Sequence, residues 1–400
     1  MQSRTTITLI LGLTQTLAWA SSYYLPAVLA LSIGRDVATS TVFAAFSGAL
    51  LVAAAVGPYA GRHIDRQGGR TLLMASNVVF ASGLIALSQA QQASHVFVAW
   101  AVMGVAMGSG LYEAAFATAV QLHGQKARST ITGITLFAGF ASTVGWPLSA
   151  YLEGTLGWRN TCLTWAVLHL VIGLPLNAWL PRAAASPATA VMSKDGARPS
   201  TGSGIELSPL QQRRAGFLMA FVFAVTWFIS TAMAAHLPAL LLSAGVSAVL
   251  AVGIAALVGP AQVAGRLIEF FFLKKSHPLL SARLAALAHP LGVLGLGIFG
   301  VSAATAFAVL HGLGNGILTI AIGTLPLLVF GSEGYGRRQG LLMVPARVVQ
   351  ASAPFLFGLA AAQWGKNALW LSAALGVAAC LALWLMTAFI RLVSTNKSAL

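Results

Sequence analysis

The chain repeats itself. Gly61-Arg62-x-x-Asp65 returns as Gly265-Arg266-x-x-Glu269, each a few residues after a Gly-Pro step, Gly57-Pro58 and Gly259-Pro260. Tyr24-Leu25-Pro26-Ala27 returns as His236-Leu237-Pro238-Ala239, and Gly124, Gly133, Pro147 and Asn160 reappear 207 residues later as Gly331, Gly340, Pro354 and Asn367. One match is chance, but an ordered series at a near-constant offset is the signature of two structural repeats. In an apolar chain, two such repeats pair as bundles with a solute site between them.

At 58% hydrophobic and 8% charged residues, the chain lies far from the roughly 25% charged typical of soluble domains. Apolar stretches long enough to cross a hydrocarbon core of about 30 Å recur along its whole length. They divide into twelve spans: 6–31, 39–60, 71–90, 95–122, 129–152, 157–181, 214–243, 246–273, 278–301, 302–330, 336–362 and 366–391. No charge or clear turn separates spans 9 and 10. An even number puts both termini on one side of the membrane.

The net charge of +15 does not point to nucleic acid, because its placement follows the spans. Of the 23 Lys and Arg, 18 belong to the termini or to the 2–3, 4–5, 6–7, 8–9 and 10–11 connections and the adjoining span ends, only Arg35, Arg159 and Lys366 lie on the opposite side, and Arg266 and Arg347 lie deeper within spans. That asymmetry is the positive-inside pattern, so the termini and the 6–7 loop are expected in the cytoplasm. The first apolar run is too long for a signal peptide and reads as an uncleaved span. Cys162 and Cys380 fall inside spans, so neither a disulfide nor a metal cluster is expected.

The hydrophilic segment Pro181 to Arg214, rich in Ala, Ser, Pro and Gly, splits the chain six spans and six. Its composition cannot bury a core, so it reads as a flexible tether. The expected domains are a six-helix bundle over 1–181, a cytoplasmic linker over 182–213 and a second bundle over 214–400. The other connections leave no room for a catalytic domain, and no Gly-x-x-x-x-Gly-Lys-Ser/Thr loop occurs. The expectation is therefore no enzyme, no cofactor and no metal.

The segment Gly61-Arg-His-Ile-Asp65-Arg66-Gln-Gly68-Gly-Arg70 resembles the signature loop of the major facilitator superfamily, matching it at Gly61, Asp65, Arg66, Gly68 and Arg70. Gly69 stands where a basic residue is usual, and Gly157-Trp158-Arg159 resembles the family's entry to span 6. The likeness covers essentially the whole chain. It implies an all-α integral membrane fold of two pseudo-symmetric six-helix bundles and an alternating-access carrier. Spans 1, 4, 7 and 10 would face a central cavity, flanked by 2, 5, 8 and 11. Three departures stand out: Trp100 replaces an arginine common in span 4, Gly145-Trp146-Pro147 replaces the antiporter pattern of span 5, and the second copy of the loop lacks its basic tail.

The loop chemistry has a physical reason of its own. Glycines allow helices to approach closely, and an acidic side chain can neutralise basic neighbours or a helix N-terminus, forming a latch of about 1–3 kcal/mol. The alternative is that Arg62, Arg66 and Arg70 only enforce topology.

Charge deep in a bilayer is costly and calls for a partner or a role. Glu113 lies ten residues before His123, so about 15 Å deep, and it is the only acidic side chain at that depth. It reads either as a proton-exchanging or substrate-contacting carboxyl, or as an ion-paired packing residue. Arg347, ten residues beyond Arg337 and followed by Gln350 and Pro354 on its face, reaches a similar depth. It reads either as the binder of an anionic solute or as the fixed partner of Glu113. Gly265, Arg266 and Glu269 read as the structural counterpart of the first loop, Arg266 and Glu269 forming an i,i+3 pair near Lys274 and Lys275.

Tyr24 and His236, each just before a proline, read as a polar pair closing the outer mouth or binding solute, or as packing residues. Gln15, Tyr112, Gln262 and Asn315 are candidate lining residues, and His289 and His311 are further candidates. The glycine runs around Gly108 and Gly314 read as packing surfaces.

The sequence thus points to a multi-pass protein of the cytoplasmic (inner) membrane, monomeric, moving a small solute, with an anion as first substrate class and protons as the driving partner. An efflux carrier for a drug or toxic compound and a non-transporting membrane sensor are the alternatives.

Overall fold

The computed structural model describes residues 3–182, 205, 207–273 and 276–397, and among these it contains helices and no strand. Most of the tether expected over 182–213, and Lys274 and Lys275, lie outside the described residues. Span 1 is Arg4–Ser21 continued after a break by Leu25–Val37; span 2 is Thr39–Gln67 and span 3 Gly69–Ser88. Span 4 is Ala93–Gly110 continued by Tyr112–His123. Span 5 begins with Arg128–Ala138 and ends within the helix Ala141–Leu168, which Gly157 divides at φ 79°. Span 6 starts there and closes with the π turn His169–Gly173 and Leu174–Ala178.

In the second half, span 7 is Pro209–Ser243, opened by a capping box between Ser208 and Gln211 with Pro209 at the first helical position. Span 8 joins Ala248–Ala256, Val258–Ile268 and the π turn Glu269–Leu273. Spans 9 to 12 are Pro278–Phe299, Ala304–Phe330, Tyr335–Trp364 and Ala368–Lys397. The boundary between spans 9 and 10 that hydropathy leaves open falls at Gly300. The repeat mates Gly124 and Gly331 both end a helix, of spans 4 and 10, at positive φ (56° and 80°), which only glycine adopts without strain.

Two expectations need correction. The signature segment is not a loop: helix continues through Asp65 to Gln67, and the turn is confined to Gly68. A helix end that projects past the hydrocarbon can carry polar residues, so hydropathy alone stops the span too early. The two Tyr/His-Leu-Pro-Ala copies also differ. The first breaks span 1 at residues 22–24, whereas Pro238 sits inside an unbroken span 7.

Burial is inverted relative to a water-soluble protein. Val249, Phe272 and Phe217 are exposed by 74% or more, while Gln339, Gln350, His169 and Arg347 are buried. Apolar side chains face where lipid would lie, and polar groups find partners inside.

The two bundles meet tightly at the face that carries the start of span 1 and the 2–3, 4–5, 8–9 and 10–11 connections, here called the terminal face. On one side, spans 2 and 11 touch through main chain. A Cβ added at Gly61 would collide with the Gly336 carbonyl, and one at Gly340 would lie 2.6 Å from the Gly57 carbonyl. On the other side, spans 5 and 8 are joined by Arg128, whose Nη2 lies 3.3 Å from Glu269 Oε1 and whose Nη1 donates to the Ser276 carbonyl at 3.1 Å.

Substitution separates seam glycines from ordinary ones. Gly61→Ala is expected to lose about 1–3 kcal/mol by overpacking. Gly154→Ala, whose Cβ meets nothing within 4 Å, should gain about 0.5–1 kcal/mol from helix propensity. Thermal melts of the two purified variants give the comparison; equal melting temperatures would rule out a close-packed seam.

Candidate functional site

Helix breaks position the charged groups at mid-depth. Span 4 interrupts at Leu111, which is extended (φ −84°, ψ −163°), and the free Gly110 carbonyl accepts a 2.7 Å hydrogen bond from Gln15 Nε2. Gln15 is thus buried as the partner of that break and does not line a cavity. The helix restarts at Tyr112, so Glu113 occupies its first turn, where the positive end of the half-helix dipole favours a carboxylate.

Glu113 meets Arg347 across the bundle interface. Arg347 Nη2 donates to both carboxylate oxygens, at 2.9 and 3.2 Å, and Nη1 donates to Gln350 Oε1 at 2.9 Å. The guanidinium also lies 5.1 Å from the Trp227 ring centroid, within cation–π range. Gln350 Nε2 in turn donates to the Tyr23 hydroxyl at 3.1 Å, and that hydroxyl lies 3.4 Å from Thr231 Oγ1. Of the two readings of Arg347, the structure has the internal ion pair.

Above this network is a chamber of about 870 Å³ bounded by spans 1, 2, 4, 5, 7, 8, 10 and 11. Its lining reaches Phe43, one turn inside span 2 and 49% exposed, so it opens toward the face opposite the latch. Its floor is at Arg266, Tyr112 and Gly139. The candidate lining residues Tyr112, Gln262 and Asn315 line it, and so do Tyr24, Gln350, Thr319 and His311. Glu113 and Arg347 do not, although their neighbours Tyr112 and Gln350 do.

Arg266 corrects the expected pairing. Glu269 turns to Arg128, and among the described residues no hydrogen bond or ion pair reaches the Arg266 guanidinium. Arg266 is nevertheless 5% exposed, its Nε is buried without a partner, and it is the sole charged side chain in the lining. It reaches this place because residue 139 is glycine: a Cβ there would collide with Arg266 Nη1. A buried donor left unpaired costs about 1–3 kcal/mol, and more when it belongs to a charged group.

The walls are aromatic. Trp19 and Trp227, from spans 1 and 7, stack with centroids 6.0 Å apart and planes 2° from parallel. Tyr112 lies 4.8 Å from Trp19, and Trp146 lies 5.8 Å from Tyr24. The indole Nε1 atoms of Trp19 and Trp227 are buried without acceptors, like Arg266 Nε. Sequence reasoning passed over Trp19, Tyr23 and Trp227. The available signal was an excess of aromatics on the two spans that begin the repeats, since such residues line apolar binding pockets.

At the terminal face, Asp65 accepts from the backbone N–H groups of Gly336 and Arg337, both at 2.8 Å, so the carboxylate of span 2 caps span 11. Gly61 provides the approach and Gly68 the turn. Arg62 lies over the Tyr59 ring at 5.8 Å, Arg66 is exposed and Arg70 half-buried. Gly265 is packed against the Leu313 backbone. His236 does not pair with Tyr24. Its Nε2 lies 2.8 Å from the Pro354 carbonyl, outside the chamber lining. His311 meets His289 (Nδ1 to Nδ1, 3.1 Å), and His289 Nε2 lies 2.9 Å from Ser372 Oγ. Trp100 is buried against Phe46.

The sequence profile of the Major Facilitator Superfamily matches residues 8–308. No curated protein sequence matches the chain. Among solved structures it is similar to the proton:xylose symporter XylE bound to 6-bromo-6-deoxy-D-glucose, with TM-score 0.72, 13% identity and 95% of each chain covered. It is also similar to the human organic anion transporter MFSD10 (TETRAN), with TM-score 0.71 and 14% identity over 96% of this chain and 100% of that one.

The ion pair across the bundles lends itself to a double-mutant cycle. Arg347→Leu or Glu113→Leu alone, each stranding a buried charge, should destabilise by about 3–5 kcal/mol, and the double variant should recover most of that loss. Unfolding of the four purified proteins measures it; strictly additive losses would show that the two groups do not interact.

Proposed function

Because the chain belongs to the Major Facilitator Superfamily, we propose that it is a secondary transporter that moves a small organic anion by alternating access, with Arg266 as the anion's partner and Glu113 as the proton-sensitive group. The single observation that carries the substrate class is Arg266, buried, unpaired and facing the chamber, with no carboxylate in the lining to neutralise it. A permanently charged guanidinium so placed favours a carboxylate or similar oxyanion, and the same lining disfavours lipophilic cations. Of the two structural neighbours, one is named as a sugar symporter and one as an organic anion transporter, so the fold accommodates both classes. The choice between them rests on Arg266.

The conformation supports a cycle with one face shut. In this reading the terminal face is cytoplasmic, as the Lys and Arg distribution favours, and the chamber opens outward. Bundles 1–181 and 214–400, joined by a cytoplasmic linker at 182–213, rock about the Glu113–Arg347 contact in the inner membrane, each copy working as a monomer. Protonation of Glu113 removes the charge that holds Arg347, and the Gln350–Tyr23 link transmits that release to the chamber wall. The Asp65 cap and the Arg128–Glu269 pair must then part for the cytoplasmic side to open.

In proteoliposomes, Arg266→Gln should weaken anion transport by about tenfold to a hundredfold, the value of a charge-assisted hydrogen bond. Glu113→Gln should flatten the pH dependence while leaving anion binding in place. Anion transport indifferent to Arg266→Gln would falsify the assignment of the site, and an unaltered pH profile in Glu113→Gln would remove the proton coupling.

A further inference from the structure

The chamber carries more information than its charge. Its lining holds one cation and no second one: His311, the other basic side chain there, is engaged with His289. A dianion would therefore leave one of its charges without a partner in a low-dielectric site. Several polar groups of the lining are already engaged: Thr226 and Thr319 donate to carbonyls of their own helices, and Asn315 donates to Ser230 at 3.0 Å, so fewer are free to answer a polyhydroxylated solute.

What the chamber offers instead is ring surface. Trp19 and Trp227 come from opposite bundles and lie parallel. Tyr112 packs on Trp19 at 4.8 Å and lines the chamber together with Arg266. The guanidinium and the aromatic stack thus line one chamber. A planar ring bearing a single carboxylate offers each of them a partner.

We infer that the solute is an aromatic monocarboxylate, bound with its carboxylate on Arg266 and its ring against the Trp19–Trp227 stack. This rests on the anion-carrier reading and narrows it. Because the stack is built from both bundles, a ring lodged on it touches both halves at once, so occupancy is felt directly at the surface along which they move.

The test uses the full-length chain purified in detergent, with thermal shift and quenching of tryptophan fluorescence as two readouts. Benzoate, cyclohexanecarboxylate, phthalate, benzylamine and inorganic phosphate are the probes. Benzoate should stabilise the protein, quench its fluorescence and bind about threefold to tenfold tighter than cyclohexanecarboxylate, the advantage of an aromatic contact over its saturated counterpart. Phthalate and phosphate should bind more weakly than benzoate, and benzylamine should not bind. Trp19→Leu should erase the preference for benzoate over cyclohexanecarboxylate while leaving anion binding, whereas Arg266→Gln should abolish both. The wild-type series needs no variant, so a poorly folding substitution does not blunt it. Equal affinity for benzoate and cyclohexanecarboxylate, or tighter binding of phthalate or phosphate with dependence on Arg266, would overturn the aromatic monocarboxylate and leave the anion carrier standing. Binding of benzylamine alone, or of none of the anions, would overturn both.

Discussion

A charged group can stay in the middle of a bilayer only where something answers its charge. Arg347 and Arg266 are both buried within spans, and they are answered differently. Arg347 has Glu113, Gln350 and the face of Trp227. Arg266 has open chamber in front of it and no partner among the described residues. The first is satisfied by the protein itself and fastens the bundles. The second is left for something the protein does not contain. That division of roles underlies the rest of the arrangement, down to the absence of a side chain at Gly139, without which Arg266 would not fit.

Lock and chamber are connected by short polar steps. Gln350 touches Arg347 on one side and Tyr23 on the other, and both Gln350 and Tyr23 line the chamber. The network crosses the interface more than once, since Glu113 and Tyr23 belong to the first six spans while Arg347, Gln350 and Thr231 belong to the second. A solute that displaces Tyr23 or Gln350 therefore perturbs the hydrogen bonding of the ion pair without any long relay.

Much of this was legible in the residues. Twelve spans and the duplication follow from apolar run lengths and from repeat pairs such as Gly61 with Gly265 and Asp65 with Glu269, whereas only the fold shows that Asp65 caps span 11 at Gly336 and Arg337. Depth counted along a helix also placed Glu113 and Arg347 at one level. Partner choice was not legible. Sequence distance suggested that Glu269 belonged to Arg266, but a helical i,i+3 neighbour competes with any cation brought near by folding, and Arg128 arrives from span 5. Nor could hydropathy see the break at Leu111, because an interrupted apolar helix is as hydrophobic as a continuous one. The position of Gln15 followed from that break and was missed with it.

The interruption at Leu111 has one more consequence. It leaves Tyr112–His123 as a stiff rod of twelve residues, about 18 Å long. Its first two residues point in different directions, Tyr112 into the chamber floor and Glu113 onto Arg347. A rod moving about that break cannot shift one of these without carrying the other. Cargo and counter-ion thus act on a common lever arm, separated by a single peptide unit.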